Sequence, residues 1–210
     1  MDSRWRNLLI AITVLLLVFL AYSLFSKQVL PPSDSDQSVA SYELAEAEIN
    51  AVLVSTPGFE PKSGSFKTID TTALEKAKQQ IQAVKQKIQS GPGFSEKTAA
   101  LALADTWIAR IELAISWKQL QELKKQANFV GTESDSEVCA KKNVLLELKQ
   151  RLENAQNALS QAETTQNAFA TGFSVLATES GFGQPIDTQP IRLELEIQLE
   201  TVNEILGVCG

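Results

Sequence analysis

The residue types that could carry chemistry are few in this chain. It contains no histidine and only two cysteines, Cys139 and Cys209. Serine and cysteine hydrolases use an imidazole as their base, and zinc sites are built mainly from histidine and cysteine. One chain of this composition lacks the side chains for such enzymes and for a structural zinc site. We therefore predict no catalytic activity, no metal and no cofactor.

The two cysteines are far apart in the sequence and form no C-x-x-C pair, which argues against a redox enzyme. In an oxidising compartment, two cysteines favour one structural disulfide. A bridge between Cys139 and Cys209 would close a loop of about 70 residues and stabilise the fold by about 3–4 kcal/mol. A disulfide to a partner chain and a pair of reduced thiols are the alternatives.

Aromatic residues provide the candidate binding positions. Trp107 and Trp117 lie about three helical turns apart on one predicted helix, and Phe169 and Phe173 lie about one turn apart on another. Side chains of this kind line pockets between helices, but more often they pack in a core or an interface. We predict that these four residues mark a pocket or an interface.

Acidic residues give a weaker indication of a metal or catalytic site. In a helical tail, Glu196, Glu200 and Glu204 would share one face, where three carboxylates could hold a divalent cation. A solvated helix face is the simpler interpretation. A hydrolase using two carboxylates needs no histidine, but such sites usually lie in aromatic clefts, and only 7% of this chain is aromatic.

Charge excludes another class of partner. The 210 residues include 19 lysines and arginines against 25 aspartates and glutamates, a net charge of −6. Nucleic-acid-binding surfaces need clustered basic residues. No glycine-rich phosphate-binding motif occurs either. We predict that the chain does not bind nucleic acid.

The first 37 residues predict a membrane anchor. Positions 8–25 read LLIAITVLLLVFLAYSLF, an uncharged run close to the length that spans a bilayer as a helix. Arg4 and Arg6 precede the run, so the positive-inside rule places residues 1–7 in the cytoplasm and residues 28–210 outside. We predict a single-pass protein of the cytoplasmic membrane.

A cleaved signal peptide is the alternative, with cleavage after Ser23, although the apolar run is longer than is usual for one. Both alternatives export the remainder of the chain. Residues 26–37 then form a polar linker, stiffened by two prolines, and residues 38–210 form the extracytoplasmic body.

Apolar residues at alternating spacings of three and four predict an all-α body, an antiparallel bundle with coiled-coil-like heptad packing. The predicted helices are 38–54, 72–89, 95–127, 135–178 and 191–206. Helix 95–127 is apolar on two faces, so we expect it at the centre. Phe59 and Phe66 are expected to pin the loop 55–69 to the body.

Several local features indicate where these helices begin, where they could break and whether the tail is helical. Thr72 with Glu75, and Ser134 with Glu137, fit capping boxes. Gln166 interrupts the apolar rhythm of helix 135–178, and Gly172 and the Thr164–Thr165 pair are points where that helix could kink or stop. The tail 191–206 alternates like a strand, but its composition and Pro190 favour a helix.

Taken together, these features predict a membrane-anchored helical scaffold that binds a protein partner or associates with itself. The alternative is a ligand-binding or sensor-like bundle with a pocket between its helices near Trp107 and Trp117.

Overall fold

The computed structural model of the protein describes residues 39–127, 134–184 and 188–209, which form seven helices and one short hairpin. The elements are α1 Tyr42–Ser55, β1 Phe59–Glu60, β2 Ser65–Phe66, α2 Thr71–Ser90, α3 Lys97–Ala127, α4 Asp135–Ala140, α5 Lys142–Gly172, α6 Ser174–Glu179 and α7 Gln189–Val208. The described chain is therefore mostly helical, as predicted.

None of the helices in these ranges is both long enough and apolar enough to cross a bilayer. The predicted transmembrane helix 8–25, the cytoplasmic segment 1–7 and the linker 26–37 all lie outside the described residues.

Helix α3 is the central element, as its two apolar faces predict. Its 31 residues extend over about 46 Å. It packs against α1, α2 and α5. Its amino-terminal half contributes to one hydrophobic cluster, with α1, α2, α6 and Phe169 of α5. Its carboxyl-terminal half contributes to a second cluster, with the first two-thirds of α5 and with α7.

The predicted helix 135–178 is wrong as a single helix, because the chain leaves helical geometry twice within it. At Lys141 the backbone separates α4 from α5, and at Phe173 it separates α5 from α6. Glycine is costly inside a helix, so α5 ends at Gly172. After the second break, α6 buries Ala177 in the first hydrophobic cluster, which also contains residues of α1.

Helix α2 begins one residue before the predicted start, and its predicted capping box is wrong. The side chain of Asp70 accepts hydrogen bonds from the backbone amides of Thr72 and Ala73, at 3.0 and 3.3 Å. Because Asp70 already satisfies these amides, Thr72 lies inside the first turn rather than at the cap. The capping box predicted at Ser134 and Glu137 is present. The amide of Ser134 donates to Glu137 Oε2 at 2.8 Å.

The predicted loop 55–69 contains a small antiparallel hairpin. Phe59 pairs with Phe66 across the two strands, and their ring centroids lie 5.5 Å apart. Phe59 also contacts Trp107 of α3, so these aromatic rings attach the loop to the body. Ring packing explains the two short strands, which the Gly- and Pro-rich sequence alone did not predict.

The tail is a helix, as predicted, and it is held at both ends. Near its start, Arg192 and Thr188 both donate to the carboxylate of Glu163 on α5. At its end, Cys209 is bridged to Cys139, with the two Cα atoms 5.3 Å apart. The predicted disulfide is therefore present, and the break between α4 and α5 lies beside it.

Candidate ligand cavity

A cavity of about 410 Å³ lies where four separate segments of the chain meet. Helix α1, the hairpin, α3 and the turn after α6 all contribute to its lining. Small-molecule sites typically occupy about 300–1,000 Å³ and combine aromatic side chains with a few polar groups. This cavity has both, because it is lined by Phe59, Trp107 and Phe182 and by the guanidinium of Arg110.

Trp107 is the centre of the aromatic cluster in this cavity. The ring centroids of Phe59 and Phe182 lie 5.7 and 5.1 Å from it, and both rings meet it edge-on. Phe169 extends the cluster behind Phe182, with a centroid distance of 6.0 Å. Aromatic pairs prefer this edge-to-face geometry, so the rings hold one another in place.

Arg110 places a positive charge against the aromatic cluster. Its guanidinium carbon lies 4.4 Å from the ring centroid of Phe182 and 5.6 Å from that of Trp107. Its Nη2 donates to Gln166 Oε1 at 2.8 Å. Burial lowers the pKa of Arg110 to about 10, well above neutral pH, so the side chain keeps its charge there.

Arg110 forms no ion pair within the part of the chain that the structure describes. Its Nε is buried and has no hydrogen-bond acceptor among the described residues. Among the described residues, the guanidinium directly contacts two aromatic rings and one neutral amide, while Glu46 and Glu179 line the same cavity without pairing with it. A desolvated cation of this kind is the strongest chemical feature of the cavity.

Gln166 explains why the apolar rhythm of α5 is interrupted. Its side chain is buried, its oxygen accepts from Arg110, and its Nε2 donates to the carbonyl oxygen of Gln184 at 2.6 Å. One amide thus positions the guanidinium and also ties the turn after α6 to α5.

Replacing Gln166 with leucine should lower the free energy of unfolding by about 2–3 kcal/mol, because it leaves a buried charged donor without its acceptor. Equilibrium urea denaturation measures this. Gln119→Leu is the matched control, since Gln119 accepts from Arg151 at 2.7 Å in a more exposed position on the same pair of helices. Equal losses in the two variants would contradict the role given to Gln166.

A chain of hydrogen bonds closes one side of the cavity. Ser180 Oγ donates to Glu46 Oε1 at 2.6 Å and lies 2.7 Å from the hydroxyl of Tyr42. Because the serine proton is given to Glu46, the tyrosine must be the donor to Ser180. These bonds connect α1 to the turn after α6, which positions Glu46 at the cavity.

Burial raises the pKa of Tyr42 from 10.0 to about 12. The folded protein therefore keeps the phenol proton at a pH where the unfolded chain loses it. The resulting stabilisation is complete below pH 10 and is lost as the pH rises from about 10 to 12.

In urea denaturation at stepped pH, wild type should lose about 2 kcal/mol more than Tyr42→Phe between pH 10 and 12. Parallel pH profiles for the two proteins would show that Tyr42 is not the titrating group.

The four aromatic residues predicted to mark a pocket or an interface do not all lie at the same place in the structure. Trp107 and Phe169 belong to the cluster at the cavity, joined through Phe182. Phe173 contacts Phe169 at 6.1 Å from a half-buried position. Trp117 packs in the second hydrophobic cluster and does not line the cavity, which therefore lies beside Trp107 alone.

Arg110 and Phe182 are cavity residues that the sequence interpretation missed. Arg110 had a signal, because it is a charged residue between the apolar positions Ile108 and Ile111. Phe182 had none, since it lies between the predicted helices 135–178 and 191–206.

The chain matches no protein-family model, and searches of curated proteins and of solved structures return no match to it.

Proposed function

We propose that this chain is a membrane-anchored, extracytoplasmic helical module that binds a small ligand in the cavity beside Trp107 and Arg110. The observation that carries the proposal is the guanidinium of Arg110, which lines a cavity, is largely desolvated and has no carboxylate partner among the described residues.

Packing alone does not account for Arg110. Removing a cation from water costs several kcal/mol, and an apolar side chain of similar volume would fill the same space at lower cost. A desolvated charge beside aromatic rings and an open cavity is typical of a binding site, where a ligand supplies the missing counter-charge.

The location proposed for the module depends on two features. The uncharged run 8–25 predicts the anchor, and the two arginines before it predict an external body. The Cys139–Cys209 disulfide supports this location, because structural disulfides are typical of oxidising compartments.

Ligand binding predicts a measurable rise in melting temperature. A ligand at a hundred times its dissociation constant stabilises the folded state by about 2.7 kcal/mol. We expect at least one member of a panel of small metabolites to raise the melting temperature of the full chain in detergent micelles.

A pair of variants locates that effect. Val54 lines the cavity and is 64% exposed, whereas Val175 is 68% exposed on α6 and does not line it. Val54→Trp should abolish the ligand-induced shift by filling the cavity, and Val175→Trp should retain it. A panel that gives no shift, or a shift that survives Val54→Trp, would contradict ligand binding in this cavity.

A second candidate function, docking of a protein partner, is favoured by the outer face of α7. Leu193 and Ile197 lie one turn apart there and are 58% and 54% exposed, while Leu195 and Val202 bury the inner face. The exposed face also carries glutamates: Glu196, Glu200 and Glu204. Two copies of so acidic a face would repel each other, so the partner that fits has apolar residues flanked by lysine or arginine.

Crosslinking in native membranes tests this second function. The double variant Leu193→Ser/Ile197→Ser should lose a crosslinked partner whose binding weakens with salt. The control Val175→Ser removes an equally exposed apolar side chain elsewhere and should retain it. A crosslinked dimer of this chain, or a partner retained by the double variant, would refute docking of a basic partner on α7.

A further inference from the structure

The positive charge of Arg110 specifies what the cavity can take. We infer that its ligand is a small organic acid with one carboxylate, bound by Arg110, and a flat apolar body that packs against Phe59 and Trp107. This inference rests on the proposed function, because it names the ligand of the same cavity.

A carboxylate is the complementary group for Arg110. The guanidinium presents planar donors that match the two oxygens of a carboxylate, and such charge-assisted hydrogen bonds are about twice as strong as neutral ones. In the described structure Nη2 already has a neutral acceptor in Gln166, and Nε has none. Because Nε has no accessible surface, a bound carboxylate meets the guanidinium from the cavity side and supplies a negative charge that its direct contacts lack.

The remaining charges of the cavity favour one negative charge rather than two. Glu46 and Glu179 line it together with Arg110 and Lys62, so two carboxylates oppose two cations. Glu46 is fixed in place by the hydroxyl of Ser180. A phosphate or dicarboxylate would add repulsion from these two glutamates that a monocarboxylate largely avoids.

The aromatic lining determines the body of the ligand. Phe59 is half-buried and meets Trp107 edge-on, whereas Trp107 and Phe182 are 6% and 1% exposed, so the apolar surface open to a ligand is mainly that of Phe59 with a small part of Trp107. A flat apolar or aromatic body packs against such rings with little loss of conformational freedom.

Three fluorinated probes that share a body and differ in charge test the inference. They are 4-fluorobenzoate, 4-fluorobenzamide and 4-fluorophenyl phosphate, added to the full chain in lipid nanodiscs and followed by ¹⁹F NMR. Empty nanodiscs correct for partitioning into lipid. We expect the benzoate to bind about 10- to 100-fold more tightly than the neutral benzamide, and more tightly than the phosphate.

Two arginine variants connect that preference to one residue. Arg110→Gln should remove the preference for the benzoate. Arg151→Gln should leave it unchanged, because Arg151 also donates from one helix of the α3–α5 pair to a glutamine on the other but does not line the cavity. The comparison of the three probes on wild type decides the inference even if Arg110→Gln fails to fold.

Equal binding of the benzoate and the benzamide would overturn the inference while leaving ligand binding in the cavity intact. Tighter binding of the phosphate would overturn it too, as would a benzoate preference that survives Arg110→Gln. If none of the three probes binds, the inference fails, and the melting-temperature panel decides the proposed function separately.

Discussion

Replacing Phe169 with alanine should lower the free energy of unfolding by about 3–5 kcal/mol, the cost typical of emptying a fully buried aromatic site. Phe169 has no exposed surface and lies in the first hydrophobic cluster, in contact with the ring of Phe182. Phe169 contacts Phe182, and Phe182 in turn contacts Trp107, so the substitution removes support from both rings. Equilibrium urea denaturation of wild type and variant measures the loss.

Phe173→Ala is the matched control for Phe169→Ala. The two rings lie 6.1 Å apart, but Phe173 is only half-buried and its backbone lies in the break between α5 and α6. We expect a loss of about 1–2 kcal/mol for Phe173→Ala, since less apolar surface returns to water. A loss at Phe173 as large as that at Phe169 would contradict the packing described for the first cluster.

Removing the disulfide should have an effect of similar size in a different part of the molecule. The bridge joins positions separated by 70 residues, so its loss should cost about 4 kcal/mol through the entropy of the unfolded chain. Without it, the contacts that hold the end of α7 among the described residues are the packing of Leu206 in the second hydrophobic cluster and a hydrogen bond from Lys142 Nζ to the carbonyl oxygen of Cys209. Urea denaturation of Cys139→Ser/Cys209→Ser measures this cost.

The effect should be local to the second hydrophobic cluster. Glu163 still anchors the start of α7, so amide hydrogen exchange should accelerate mainly near Leu206 and α4, not around Trp107. Wild type treated with reductant should match the double serine variant. Wild-type stability that is insensitive to reductant would show that the two cysteines do not bridge within the chain.

The helices of this protein were predictable because their apolar residues repeat over several turns. Leu145, Leu148 and Leu152 of α5, for example, all lie in the core at the spacing that predicts a helix. The break at Lys141 was not predictable, because no glycine or proline marks it. It lies two residues after Cys139, and the need to meet Cys209 is a tertiary constraint that local spacing does not encode.

The cavity was predictable only in part. Trp107 stands out by its residue type, but the other walls come from segments that are distant in the sequence and meet only in the fold. Phe59 comes from a hairpin and Phe182 from a turn, and neither position has a periodic neighbour that points to it. The interruption at Gln166 was visible, but its meaning depends on Arg110, which lies 56 residues away.

The most direct test of ligand binding beside Trp107 uses the indole signals of the full chain labelled with ¹⁵N-tryptophan. Signals are assigned with Trp107→Phe and Trp117→Phe, and 4-fluorobenzoate or any compound that raises the melting temperature is then added. We predict that the Trp107 signal moves with saturation, while Trp117, which packs in the other cluster, does not. A compound that binds without moving the Trp107 signal, or that moves Trp117 instead, would contradict a ligand site in this cavity.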